Sequence, residues 1–176
     1  MTLSDLSHFF AEYWGLMATI VGLIVVSAFF SGSETALTAV SRARMHTLEQ
    51  QGDKRAGFVN VMINRRDRLI GALLIGNNLV NILASSLTTT LFLSIFGANG
   101  VAYATLIMTT LLVVFAEVLP KSWAISATDR FALAVAPLVR VLFFVIGPLS
   151  SLVNMIVRAI LGVFGVTLTK GTEMLT

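Results

Sequence analysis

Apolar positions dominate two long stretches of the chain, and the polar residues that interrupt them mark out its elements. Residues 13–33 carry no charge over twenty-one positions. A helix rising about 1.5 Å per residue needs about twenty residues to cross the hydrocarbon of a bilayer. Residues 69–116 are uncharged for forty-eight positions, and Gly97-Ala98-Asn99-Gly100 divides them near the middle with a turn signal. The pattern predicts three spans, at about 12–37, 69–96 and 101–127, the last two forming a hairpin. Over residues 38–67, Met45, Leu48, Phe58, Val59 and Met62 recur at near-helical spacing on either side of Gly52-Asp53. This predicts two short helices against the inner membrane surface rather than a solvated basic loop. Residues 130–166 are apolar but carry Pro137, Arg140, Pro148 and Arg158. A fourth span would have to fit the seventeen residues between the two arginines, one of them a proline. The preferred reading is a kinked amphipathic juxtamembrane helix whose arginines reach lipid headgroups.

Composition agrees with this pattern. The 176 residues are 56% hydrophobic and 12% charged, with a mean hydropathy of +0.89, more apolar surface than a soluble domain of this size hides in one core. The fold class expected is therefore an all-α integral membrane protein, one transmembrane domain over residues 1–176, without internal repeats. Absence of cysteine removes disulfides and thiolate metal sites, and a net charge of +3 is too small to suggest nucleic acid. All twelve Lys and Arg follow position 41, seven of them from Arg42 to Arg68 and five from Lys121 onward. Two acids and no base precede Tyr13, the reverse of a secretory signal peptide, so the first stretch is expected to be a permanent span. The positive-inside rule then places both basic segments and the C-terminus in the cytoplasm, with the N-terminus and the Gly97 turn outside.

Polar residues inside the spans carry the candidate chemistry. In the second, Asn77, Asn81 and Ser85 follow at four-residue steps and line one face, flanked by Asn78. In the third, Glu117 precedes Pro120 by three residues and Lys121 by four. A proline cannot donate to the carbonyl four residues earlier, which predicts a freed Ala116 oxygen beside the carboxylate. Two structural alternatives stand beside a cation site: amides that merely bond neighbouring helices, and a Glu117 to Lys121 ion pair at a helix end. Counting along the helices puts Asn77 and Asn81 about 12 and 18 Å from Leu69. Ser31 and Ser33 come about 16 and 13 Å from Arg42, and Glu117 about 18 Å from Asp129, all near midplane. With both histidines outside the spans, such oxygens favour a hard cation, Mg²⁺ or Na⁺. No nucleophile and base pair, phosphate loop or metal-hydrolase motif supports an enzyme.

The segments FSGSETAL, GNNLVNILAS and FAEVLPKS, in this order and with a basic segment between the first two, resemble the transmembrane domain of the CorB/CorC family of bacterial magnesium transporters, related to the animal CNNM proteins. The resemblance covers roughly residues 30–148. It implies three membrane helices, a cytoplasmic helical pair, a juxtamembrane helix, a homodimer in the bacterial inner membrane, and Mg²⁺ efflux by alternating access in exchange for Na⁺. The other function kept open is a Mg²⁺-sensing membrane anchor and dimerisation module that governs other transporters. The family's ion pocket, carried over, would be made by Ser31 and Ser33 at a serine-glycine break of the first helix, Asn77 and Asn81, and Glu117. Glu34 would lie beside that pocket, organising the break or the dimer, with Lys121 as a possible basic partner. Members of the family continue into tandem CBS domains that bind ATP. None is present in this sequence, so ATP is not assigned to it.

Overall fold

The first apolar stretch forms α1, Leu3–Ala39, an uninterrupted helix of 37 residues. At about 1.5 Å per residue this reaches about 55 Å, longer than a bilayer core requires. The computed structural model describes residues 3–163, all helices and short turns with no strand among them. After α1 come two short helices, α2 (Arg42–Gln50) and α3 (Lys54–Ile63), then α4 (Arg66–Phe96). A 3₁₀ turn, Gly97–Asn99, leads into α5 (Gly100–Leu111), a π-helical segment (Leu112–Val118), α6 (Leu119–Ser126) and α7 (Thr128–Val163).

Local chemistry explains the joints. Gly52 takes φ +93°, a left-handed conformation that glycine adopts without a Cβ penalty. Its N–H donates to the Glu49 carbonyl and the Asp53 N–H to the Leu48 carbonyl, closing α2. The Asp53 carboxylate then accepts from the Arg55 N–H at 2.9 Å and opens α3. At the other end of the molecule Gly97 has φ +59°, and a Cβ at Gly100 would collide with the Phe92 carbonyl. Here the long apolar stretch folds back, so that Thr88 of α4 meets the Met108 sulfur of α5 and Phe96 stacks edge-on to Tyr103.

Two stretches, Glu12–Ala39 and Arg66–Ser126, are long and apolar enough to cross a membrane, the second of them bent into the two legs just described. The well-buried apolar core lies elsewhere, where the end of α1, the α2 and α3 pair, the start of α4 and α7 come together. Leu37, Met45, Val59, Met62, Leu69, Leu73 and Val139 are almost wholly buried there. One stripe of α7, Ala132, Val135, Ala136, Val139 and Phe143, faces this core at helical spacing, while Leu138, Val141, Phe144 and Val145 remain exposed.

One expectation changes. The serine-glycine break of the first helix is absent, because α1 continues through Ser31, Gly32 and Ser33. These small residues serve close packing instead: a Cβ on Gly32 would lie 2.7 Å from the Phe131 ring and 3.4 Å from the Pro120 Cβ. The backbone irregularity sits in the third leg, as the π segment. The juxtamembrane segment forms one helix, α7, which runs on through Pro137 and Pro148. The end of the predicted juxtamembrane helix, residues 164–166, lies outside the described residues. Ala72 and Ala84 of α4 are buried within this chain.

Candidate ion site

The seam between α1 and α4 gathers the polar side chains. Ser27, fully buried, donates toward two amide oxygens, Asn77 Oδ1 at 2.9 Å and Asn81 Oδ1 at 2.6 Å. Asn77 and Asn81 are one turn apart on α4, so both reach one hydroxyl on the facing helix. Their backbones come close because Gly76 has no side chain, a Cβ there falling 2.5 Å from the Phe30 ring. Two amides therefore converge on one buried hydroxyl, an oxygen-rich cluster between the two helices.

One turn along α1 from Ser27, the Ser31 hydroxyl is buried and has no hydrogen-bond partner, and the Ser33 hydroxyl is in the same condition. A buried unsatisfied polar group costs about 1–3 kcal/mol. Helical serines and threonines have a ready remedy, which is to donate to the carbonyl four residues back. Thr35, Thr38, Thr88, Thr89, Ser94 and Ser122 all do so. Ser31 and Ser33 do not, although Thr35 itself uses the Ser31 carbonyl at 3.1 Å. On a continuous helix, residues two apart point about 160° away from each other. Ser31 therefore shares the Ser27 face, whereas Ser33 looks to another side and cannot meet the same ion through its hydroxyl while α1 stays helical.

Glu117 lies half-buried in the π segment, which packs along α1. In that segment the Leu119 N–H donates to the Val114 carbonyl, five residues back, so the helix widens just before the residue that has no N–H to give, Pro120. Such widening concentrates at functional sites. Neither the Glu117 to Lys121 pair nor a Glu34 to Lys121 pair is formed among the described residues, whose ion pairs are Arg44 to Asp129, His46 to Glu49 and Arg55 to Asp53. The structure thus joins Asn77 and Asn81 directly and sets Ser31 one turn beyond their shared hydroxyl. It brings the Glu117 segment against the same helix and turns Ser33 away. Ser27 was missed in the sequence, although it precedes Ser31 by four residues and is the polar position of an apolar run.

No three His, Cys, Asp or Glu side chains gather among the described residues. The candidate residues offer one carboxylate and neutral oxygens, donor types that suit a hard cation keeping part of its hydration.

Comparison with known proteins follows this geometry. Residues 18–176 match the family described as the cyclin M transmembrane N-terminal domain, CNNM. The chain is 41% identical over 141 residues to the UPF0053 inner membrane protein YfjD of Escherichia coli, covering 80% of this chain and 33% of that protein. It is 31% identical over 161 residues to a UPF0053 protein of Haemophilus influenzae, 92% of this chain and 38% of the relative. A chloroplastic DUF21 domain-containing protein of Arabidopsis thaliana is 31% identical over 150 residues, 85% of this chain and 22% of its own length. The chain thus spans between 22% and 38% of the length of these relatives. With the matched model covering the helices, the serine and asparagine seam and the glutamate before proline, this chain belongs to the CNNM transmembrane domain family.

Proposed function

We propose that this domain carries Mg²⁺ out across the inner membrane by alternating access, coupled to Na⁺. In this reading α1, α4 and the leg from α5 to α6 are three crossings. The α2 and α3 pair lies in the cytoplasm and α7 along its interface, and the domain works as a homodimer. Ser31, Asn77, Asn81 and Glu117 form the ion site, with Ser27 holding the two amides. Ser33 joins only if α1 unwinds. The carrying observation is the seam in which two amides converge on Ser27 while the Ser31 hydroxyl one turn away has no partner. A cation there would take the amide oxygens and the Ser31 hydroxyl as ligands together. Family membership and the bacterial inner-membrane relative support the location.

The test is Mg²⁺ flux by the purified protein in liposomes. Movement that responds to an opposing Na⁺ gradient is expected. Binding without flux would instead select the other reading, a Mg²⁺-sensing anchor and dimerisation module, which needs the same site. Orientation is checked with single cysteines at two exposed positions, Asn99 and Gln51. Asn99 should label from outside intact cells and Gln51 should not.

A further inference from the structure

A second feature of the molecule lies at the junction of its two apolar stretches. The start of α2, the end of α3 and the start of α4 border an open depression of about 530 Å³ lined by Arg42, Asn64, Arg65, Arg66, Asp67 and Arg68. Four arginines and one aspartate line it, an excess of three positive charges in one place, equal to the formal net charge of the whole chain.

Two of the four arginines are anchored. Arg66 Nη2 donates to the Thr38 carbonyl at 3.0 Å and Arg42 Nη2 to the Ile63 carbonyl at 3.4 Å, so the end of α1 is tied to the start of α4 and the start of α2 to the end of α3. Arg65 and Arg68 are exposed and make no side-chain hydrogen bond or ion pair. The arrangement is electrostatically unfavourable twice over. The guanidinium groups repel one another, and Arg65, Arg66 and Arg68 sit at the N-terminal, positive end of the α4 dipole, where acids are the favoured residues. Planar guanidinium forks lining one space match the oxygens of a phosphate. The depression also lies where both apolar stretches end, at Ala39 and Arg66, the level at which lipid phosphates sit if these stretches cross a bilayer.

We infer that this arginine-lined depression is a binding site for the phosphate headgroup of an anionic phospholipid of the inner leaflet. The bound phosphate offsets the repulsion and bridges α1 to α4, the two helices whose polar seam forms the candidate ion site. The inference rests on the membrane location and not on the identity of the transported ion.

The experiment uses the full chain, stripped of lipid in detergent and then supplied with phosphatidylglycerol or phosphatidylcholine, with retained lipid counted by native mass spectrometry. The wild type should retain phosphatidylglycerol in preference to phosphatidylcholine. Arg65→Ala with Arg68→Ala removes no side-chain hydrogen bond or ion pair of the fold and should lower that preference roughly thirtyfold, at about 1 kcal/mol per basic residue near a lipid surface. A control, Lys54→Ala with Arg130→Ala, removes the same charge from exposed positions outside the depression and should leave the preference intact. Thermal melting of both variants monitors folding. Equal loss in the control, or none in the arginine variant, would overturn the assignment by reducing it to general surface charge. Displacement of phosphatidylglycerol by millimolar inorganic phosphate would also overturn it, since the site would then belong to a soluble anion.

Discussion

The α2 and α3 pair and the seam between α1 and α4 treat polar groups in opposite ways. In the pair, polar side chains are matched to partners. Ser41 accepts from the Arg44 N–H, and Asp53 from the Arg55 backbone and guanidinium. Asn60 donates to Glu49 at 2.6 Å, Arg44 meets Asp129 at 2.9 Å, and the Arg140 guanidinium lies 4.1 Å above the Phe58 ring. In the seam, two amides converge on one hydroxyl and two further buried hydroxyls have no partner. Groups of the first kind specify a structure. Groups of the second kind cost stability, and under the proposed function Ser31 recovers that cost when an ion binds.

The largest test of this contrast is Glu117→Gln, which keeps the shape but removes the carboxylate of the π segment that packs along α1. Mg²⁺ affinity measured by calorimetry should fall roughly 100-fold or more, the scale of an uncompensated buried charge, while the protein still folds. Lys121→Met should leave affinity nearly unchanged, because the two residues form no ion pair. Unchanged affinity in Glu117→Gln would remove the carboxylate from the site.

Close packing of the seam gives the next effect. Gly76→Ala drives a methyl into the Phe30 ring and should cost about 1–3 kcal/mol in thermal stability. Gly22→Ala, on the same kind of helix but with open space around it, should be neutral or slightly stabilising.

The orphan hydroxyls give a sharper sign. Ser31→Ala and Ser33→Ala should each stabilise the ion-free protein by about 1 kcal/mol, since each removes a buried group without a partner. Only Ser31→Ala should also weaken Mg²⁺ binding, because Ser33 faces another side. Loss of stability in both variants would mean that the hydroxyls are satisfied and the contrast with the helical pair is wrong.

The smallest effect belongs to the pair. Hydrogen bonds from the Arg55 side chain, then its backbone N–H, hold the Asp53 carboxyl below its ordinary value of 3.8. A carboxyl depressed by folding stabilises above the unfolded value, and that contribution is lost as pH falls through the folded one. Amide exchange at Arg55 should therefore be protected at neutral pH and lose protection below the ordinary carboxylate range. Asp53→Asn should keep the cap and abolish this pH dependence.

Much of the fold was legible because it depends on neighbours. Run length gave the long helices, Gly52-Asp53 the turn of the helical pair, and Gly97 to Gly100 the fold-back, each decided by residues a few positions apart. Asn77 and Asn81 were legible as partners for the same reason, being one turn apart on one helix. Ser27 was not, since its bonds reach fifty and fifty-four residues along the chain, and its spacing from Ser31 says nothing of those partners. The expected break in α1 failed because Gly32 is held helical by the approach of Phe131 and Pro120.

The sequence by itself determined an apolar, all-helical chain with two long membrane-competent stretches and a basic segment between them, since hydrophobic length and charge are properties of composition and order. Only the tertiary structure decided which polar groups lack partners. It turned Ser31 and Ser33 to different sides, placed the irregular turn at Leu112–Val118, and gathered four arginines around one depression. The physical reason is that a hydroxyl or guanidinium becomes costly or useful only through what packing brings within about 3 Å of it, and those neighbours come from distant parts of the chain.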